Sequence, residues 1–212
     1  MTHARDERTA ICDLLNQLGP GQPTLCEGWQ TADLAAHLVL RERRPDAAVG
    51  VLGGPLAGYT RRIQDRLLAR VPFPQLVEMI RTGPPRLSPF APPGMDERAN
   101  LVEYFVHHED VRRAQPDWQP RNISTDLADD LWRRLRLARL MLRGAPVGIE
   151  LVRADPGGTG PVRITAKART PVVTVTGDPA ELTMWAMGRT SAARVRLDGS
   201  DTDVETLRGW RH

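Results

Sequence analysis

The sequence predicts fold class α + α/β: a helical bundle over residues 1–145, followed by a small α/β domain over residues 146–212. Before residue 145, apolar residues recur with a helical period in segments that glycine or proline separates. After Gly144 and Pro146, the apolar segments become short and β-branched, with glycine or proline at their ends, as strands do. We therefore expect a boundary between the two regions near residue 145.

The first region is predicted to contain several helices. Their apolar periodicity places them at residues 4–18, 31–44, 59–69, 74–81, 96–115 and 125–143. The last of these has an apolar stripe with the near-heptad spacing of a bundle helix. The stripe consists of Leu127, Leu131, Leu135, Ala138 and Leu142. Five prolines between residues 82 and 94 exclude a helix there and predict a long loop.

The second region is predicted to alternate strands with helices. Strands are expected at residues 149–152, 162–168, 172–176 and 194–197, and helices at residues 178–187 and 201–210. Residues 155–160 are rich in glycine and predict a turn between the first two strands.

Composition excludes several classes of protein. The formal net charge is only +3, with basic and acidic residues interspersed, so we expect no nucleic-acid partner. No apolar run approaches the roughly 20 residues of a membrane span, and the charged first residues lack a signal-peptide core, which predicts a cytoplasmic protein. Cys12 and Cys26 form no disulfide framework. We expect Cys12 to be a small buried residue, and we assign Cys26 a structural role as well.

One helix carries a pattern that indicates chemistry. Glu103 and His107 are four residues apart, so a helix places both side chains on one face. Val102 and Val106 lie on or beside that face, which predicts that the pair points inward. A carboxylate directed into a core must be neutralised, hydrogen-bonded or bound to a cation.

A third ligand for such a cation has few candidates. His108 points about 100° away from His107 on the helix, which leaves it as a surface or packing residue, and His37 is then the interior histidine on another helix. Two imidazoles and one carboxylate would form an open, three-ligand site for Zn²⁺ or a similar divalent ion. Asp33 and Asp110 are spaced to hydrogen-bond the two histidines. A buried Glu–His ion pair without metal is the alternative.

Two segments together resemble the mycothiol-dependent maleylpyruvate isomerase family. Gly28-Trp29, Asp33-Leu34 and His37-Leu38 are similar to its first motif, and Glu103, His107 and Asp110 to its second. The resemblance implies a DinB-like four-helix bundle that binds zinc through His37, Glu103 and His107. The stretches 185–189 and 195–199 resemble the family's smaller, sterol-carrier-like domain. Gln30 departs from the pattern, since relatives often have a Ser or Thr helix cap there.

The resemblance implies a metal-dependent enzyme that uses a small thiol, mycothiol, as cosubstrate. A cation deprotonates a bound thiol, and the thiolate would add to a small electrophilic substrate. Isomerisation follows if the thiol is later expelled, and S-transfer if it stays. The cationic residues Arg41, Arg43 and Arg44 either favour an anionic substrate or form a solvated face. The alternative function is a non-catalytic protein of the same fold that binds a metal or a small ligand.

Overall fold

The computed structural model describes residues 2–43, 57–85, 95–153 and 161–210, and for residue 57 and residues 95–99 it describes the backbone alone. It has a mixed architecture of α-helices and one four-stranded sheet. The chain divides into two compact units, Met1–Gln119 and Pro120–His212. The predicted turn over residues 155–160 and most of the predicted proline loop, residues 86–94, lie outside the described residues.

The first unit is helical, as its apolar periodicity predicts. It contains α1 (His3–Leu18), α2 (Thr31–Arg43), α3 (Ala57–Arg70), α4 (Phe73–Arg81) and α5 (Met95–Arg113). Helix α1 packs against α4 and α5, and α2 packs against α3 and α4. Their apolar faces meet in one core, which includes Ile11, Leu15, Leu34, Leu38, Leu76, Ile80 and Tyr104. Helices this short depend on such packing for most of their stability.

The division between the units falls between Gln119 and Pro120, earlier than the predicted boundary near residue 145. The segment after it begins with α6 (Thr125–Arg134), whose first turn Ser124 caps by accepting a hydrogen bond from the backbone N of Leu127. It continues to Gly144 as 3₁₀ and α turns instead of one regular helix. The predicted apolar stripe is buried as expected. Its last three members, however, belong to the core of the sheet.

The second unit is built on a sheet with strand order β2-β1-β3-β4. Its strands are β1 (Gly148–Arg153), β2 (Val162–Lys167), β3 (Val172–Gly177) and β4 (Arg196–Asp198). Strands β1 and β3 run parallel, and the other two pairings are antiparallel. Helices α7 (Pro179–Ala186) and α8 (Asp201–Gly209) complete the unit. The strands and helices predicted here are confirmed to within about two residues at each end.

Within the described ranges, no helix combines the length and the apolar character that are needed to cross a bilayer.

Candidate metal centre

The loop before α2 fixes where this helix starts and therefore where its side chains point. The buried Thr31 hydroxyl donates to the carbonyl oxygen of Gly19 at 2.6 Å. The Asp33 carboxylate accepts the backbone N–H of Gln30 at 2.9 Å, which satisfies a donor at the helix start and suits the helix dipole. Asp33 is therefore part of the helix cap. The predicted hydrogen bond from Asp33 to His37 is not what the structure shows for this carboxylate. The cap also explains how α2 begins without Ser or Thr at position 30.

Helices α2 and α5 bring the three predicted ligands together. His37 Nε2 lies 3.2 Å from Glu103 Oε1, and His107 Nε2 lies 3.3 Å from the same oxygen. The two imidazole rings meet edge to face, with 5.0 Å between their centroids. The ligating atoms of all three residues lie within 4.8 Å of one another. Spacing on α5 predicts the Glu103–His107 pair, and the approach of His37 completes the group.

The crowding around Glu103 Oε1 shows what this arrangement can hold. A third nitrogen, Arg41 Nε, lies 3.3 Å from that oxygen, so three nitrogen atoms surround one carboxylate oxygen. A carboxylate oxygen has about two lone-pair sites, which is one fewer than the nitrogens around it. Ligands on a tetrahedral zinc ion, at about 2.1 Å from it, are separated by about 3.4 Å. The two distances from Oε1 to the imidazoles are close to that separation.

The second nitrogen of His107 has a partner that orients the ring. Its Nδ1 lies 2.8 Å from Asp110 Oδ2, as the sequence predicts, and the Asp110 side chain is fully buried. When Nδ1 donates to this carboxylate, the lone pair of Nε2 is directed to the side of Glu103. A carboxylate behind a histidine in this way fixes its tautomer and raises its basicity as a metal ligand.

Cys26, for which the sequence predicts a structural role, lies beside this pair. Its thiol donates to Asp110 Oδ2 at a distance of 3.3 Å. The loop is attached to α5 at the same place, since the backbone N of Leu25 donates to the carbonyl oxygen of Asp110 at 3.0 Å. No spacing rule relates positions 26 and 110. The only signal in the sequence is that Cys26 closely precedes the helix of His37.

Cys26, His107 and Asp110 form a second group whose donor atoms lie within 4.8 Å of one another. Its internal distances are 2.8 Å from nitrogen to oxygen and 3.3 Å from sulfur to oxygen. Tetrahedral zinc would require about 3.4 Å and about 3.6 Å between such atoms. The second group therefore has the dimensions of a hydrogen-bonded set, whereas the two oxygen–nitrogen distances of the first group are compatible both with hydrogen bonds and with a metal site.

The three predicted cationic residues have different surroundings. Arg41, one turn after His37 on α2, contacts Glu103 and donates to the amide oxygen of the buried Asn100. Arg43 instead donates to the carbonyl oxygens of Met79 and Gly83, so it caps the end of α4. Arg44 lies outside the described residues. Of the predicted cationic group, Arg41 is thus the one that borders the site.

Exposure shows from which side the site can be reached. The side chains of His37 and His107 are only 4% and 10% exposed, whereas those of Glu103 and Arg41 are 21% and 19% exposed. The ring of Trp29 packs against His37, with 5.2 Å between the ring centroids. A ligand therefore reaches the site past Glu103 and Arg41.

Electrostatics make the three residues unequal. Burial raises the pKa of Glu103, but hydrogen bonds from His107 and His37 and the charge of Arg41 outweigh it and hold the pKa well below its usual value. Burial lowers the pKa of His107, yet its bonds to Asp110, Cys26 and Glu103 raise it well above the usual value. For His37, burial prevails and lowers the pKa. Without metal, a neutral His37 thus faces an imidazolium–carboxylate pair.

Two further sequence predictions concern residues outside the site. His108 does point away from His107, but it is a buried residue, and its Nδ1 lies 2.9 Å from Glu7 Oε2 on α1. Cys12 is fully buried as expected, and burial raises its pKa to about 12.

Comparison of the chain with protein-family models, with curated proteins and with solved structures finds no match.

Proposed function

We propose that His37, Glu103 and His107 hold a divalent cation, with zinc the best fit, and that the protein is an enzyme that uses this ion to activate a small thiol. The observation that carries the proposal is the placement of two imidazole nitrogens 3.2 and 3.3 Å from one carboxylate oxygen. These distances match the edges of a tetrahedral zinc site.

The donor set favours zinc over harder ions. Two imidazoles with one carboxylate suit Zn²⁺, whereas Mg²⁺ and Ca²⁺ prefer an all-oxygen environment. Three protein ligands leave one position open, which is typical of catalytic zinc and not of structural zinc. Glu103 and Arg41 are more exposed than the two histidines of the site. The open position is therefore expected on their side.

The charges of the surrounding residues favour an anionic fourth ligand. Glu103 and Asp110 contribute two negative charges and Arg41 one positive charge, so a divalent ion would bring this group to +1 when both imidazoles are neutral. A thiolate at the open position would restore neutrality. The bound cation would supply the chemistry, because it stabilises a thiolate far more than a thiol.

The chain's own residues would orient the metal ligands and exclude water from part of the site. Asp110 holds His107 in the tautomer that presents Nε2. Trp29 covers His37 and keeps water from that side of the site. Arg41 borders the path of entry, so a thiol that loses its proton there would meet a positive charge.

The identity of the thiol and the fold family rest on the resemblance in the sequence. The Gly28-Trp29 and His37-Leu38 motif, with Glu103, His107 and Asp110, supports a DinB-like bundle and mycothiol as cosubstrate. The corresponding proposal for residues after 145 is a sterol-carrier-like fold. The reaction would add the thiolate to a small electrophile, giving S-transfer if the thiol stays bound to carbon and isomerisation if it is expelled.

A second candidate is a protein with this site but without turnover, in its limiting form a metal-free ion pair. The observation in its favour is the high pKa of His107, since an imidazolium next to Glu103 and Asp110 already neutralises most of the buried charge. In this case the cluster would contribute to stability or bind a ligand without catalysis.

Metal analysis of untagged protein, followed by thiol titration, separates these functions. The enzyme proposal expects about one zinc per chain, lost in His37→Ala and kept in the control His108→Asn, which preserves a donor to Glu7. It also expects mycothiol to release a proton when it binds the zinc-loaded protein. Protein that stays metal-free in excess zinc would leave only the ion pair, and metal without thiol-linked proton release would leave the non-catalytic binder.

A further inference from the structure

We infer that Cys26 is a positioning residue of the metal site, acting through Asp110 on His107. The inference rests on the proposed function, because it concerns how tightly His107 can hold the cation. It assigns a role to the thiol that closely precedes α2, which is not one of the three ligands and packs at the edge of the apolar core of the helical unit.

The inference depends on Asp110 Oδ2, the oxygen that Cys26 and His107 both contact. Asp110 Oδ2 accepts from Cys26 Sγ at 3.3 Å and faces His107 Nδ1 at 2.8 Å. The Asp110 side chain is fully buried, so its carboxylate depends on protein donors for the bonds that water would otherwise provide. A second donor on the same oxygen restricts the rotation of the carboxylate about its Cβ–Cγ bond. Asp110 is then held in the plane that suits the His107 ring.

The loop that carries Cys26 is built to hold the thiol in place. The Thr24 hydroxyl accepts the backbone N–H of Cys26 at 3.2 Å, and the carbonyl oxygen of Cys26 accepts the backbone N–H of Trp29 at 3.0 Å. The neighbouring Leu25 is bonded to the backbone of Asp110. The same loop presents Trp29 to His37. One short segment therefore supports both histidines, His37 by packing and His107 through the Cys26–Asp110 hydrogen bond.

A role for Cys26 as a metal ligand fits the geometry less well. Its thiol groups with His107 and Asp110, whereas the proposed metal lies on the other nitrogen of the His107 ring, towards His37 and Glu103. The 2.8 Å distance between His107 Nδ1 and Asp110 Oδ2 leaves no room for an ion between them. Cys26 therefore lies behind the ligand, on the side of the His107 ring that faces Asp110 and away from the proposed cation.

The test is a double-mutant cycle on metal affinity, measured by competition with a chelator for Zn²⁺ and for Co²⁺. Cys26→Ala should weaken binding by about 2- to 10-fold, the range for one lost hydrogen bond, and Cys26→Ser should restore most of it. The matched control is Cys12→Ala, which removes the other thiol, in the apolar core. In an Asp110→Asn background, Cys26→Ala should have a much smaller further effect, because only the direct contact of Cys26 with His107 then remains.

Three readouts separate this role from others. Unfolding in chelator measures the stability of the protein without metal. If Cys26 is purely structural, Cys26→Ala would lower this stability and leave the metal affinity unchanged, which would overturn the inference. A thiolate-to-Co²⁺ absorption band in wild-type protein without added thiol, lost in Cys26→Ser, would make Cys26 a ligand and also overturn it. Additive effects of Cys26→Ala and Asp110→Asn would exclude action through Asp110.

Failure of the inference can be distinguished from failure of the proposed function. Wild-type protein that binds no metal would overturn the proposed function, and this inference with it. If the wild type binds metal, His37→Ala does not, and Cys26→Ala binds it as tightly as the wild type, the inference alone is overturned.

Discussion

Two glutamates between α2 and α5 show how the same residue type becomes a structural pair in one place and a candidate metal ligand in another. Glu42 lies on α2 and accepts from side chains of α5, whereas Glu103 lies on α5 and faces side chains of α2. Both belong to the helical unit. They differ in the chemistry of their partners and in their access to solvent.

The Glu42 carboxylate is buried, and its charge is neutralised. Its side chain is 2% exposed, and both of its oxygens lie 2.8 Å from the guanidinium nitrogens of Arg8. The Tyr104 hydroxyl donates to it at 2.7 Å, and the Asn100 amide lies 3.4 Å away. The Arg8 and Asn100 nitrogens have no lone pair to offer a metal ion, and the Tyr104 hydroxyl is engaged with Glu42. The carboxylate therefore has the charge and the hydrogen bonds that burial requires.

The Glu103 carboxylate is partly exposed, and two of its neighbours can accept hydrogen bonds as well as donate them. An imidazole nitrogen is a donor or a lone pair depending on its tautomer, so His37 and His107 can present two lone pairs to a cation beside the carboxylate. The side chain is also 21% exposed, which leaves a path of entry. Partner chemistry and exposure, and not the buried carboxylate itself, make this position a candidate site.

The largest expected effect is on stability and distinguishes the two glutamates directly. Glu42→Gln should lower the free energy of unfolding by about 3–5 kcal/mol, because it leaves the buried Arg8 without its counter-charge. Glu103→Gln in chelator should cost much less, about 1 kcal/mol, since that carboxylate is partly exposed. Urea unfolding followed by circular dichroism measures both. Equal losses would show that Glu103 is also a structural ion pair.

The second prediction reverses the order for metal binding. Glu103→Gln should weaken zinc binding by more than about 100-fold, since loss of an outer partner alone costs about 10- to 100-fold. Glu42→Gln should bind zinc nearly as well as the wild type, because its carboxylate lies among Arg8, Asn100 and Tyr104. Chelator competition checks both variants. Tight binding in Glu103→Gln would remove that residue from the ligand set.

Sequence alone could predict the half of the site that lies on a single helix. Glu103 and His107 follow from i, i+4 spacing, and Asp110 follows from the next turn of the same helix. His37 is a candidate because the sequence contains few interior histidines. The sequence does not predict the position of Cys26, since its approach to Asp110 depends on how a loop packs against α5. Such long-range contacts have no periodic signal.

The fold shows the same limit. The apolar stripe that includes Leu135, Ala138 and Leu142 predicts a buried helix face, and these residues are buried. The stripe does not reveal what covers it, because an apolar face can pack on a sheet as readily as on other helices. In the structure the last three members lie in the core of the sheet, which shifts the division between the units to Gln119.

The third prediction tests the two aspartates that the sequence proposes as partners of the histidines. Asp110→Asn should weaken zinc binding by about 10- to 100-fold, because His107 loses the carboxylate that fixes its tautomer. Asp33→Asn should leave zinc binding nearly unchanged, since Asp33 serves the start of α2 and an Asn side-chain oxygen can accept the same N–H of Gln30. Chelator competition on the two variants, side by side, is the measurement. A comparable loss in both would restore Asp33 as a partner of His37.

The smallest effect is on the pH dependence of zinc binding, and it follows from the unequal pKa shifts. Because the pKa of His107 is raised and that of His37 is lowered, only His107 holds a proton near pH 7 in the metal-free protein. Zinc must displace that proton, so affinity should rise by about tenfold per pH unit until the pH passes the pKa of His107, and then level off.

Calorimetry in buffers of different ionisation enthalpy should accordingly report about one proton released per zinc at pH 7. Glu42→Gln should release the same number, because Glu42 takes no part in the exchange. Release of two protons would mean that His37 is also charged, and release of none would mean that His107 is already neutral. Either result would contradict the protonation states that the opposite pKa shifts of His107 and His37 predict.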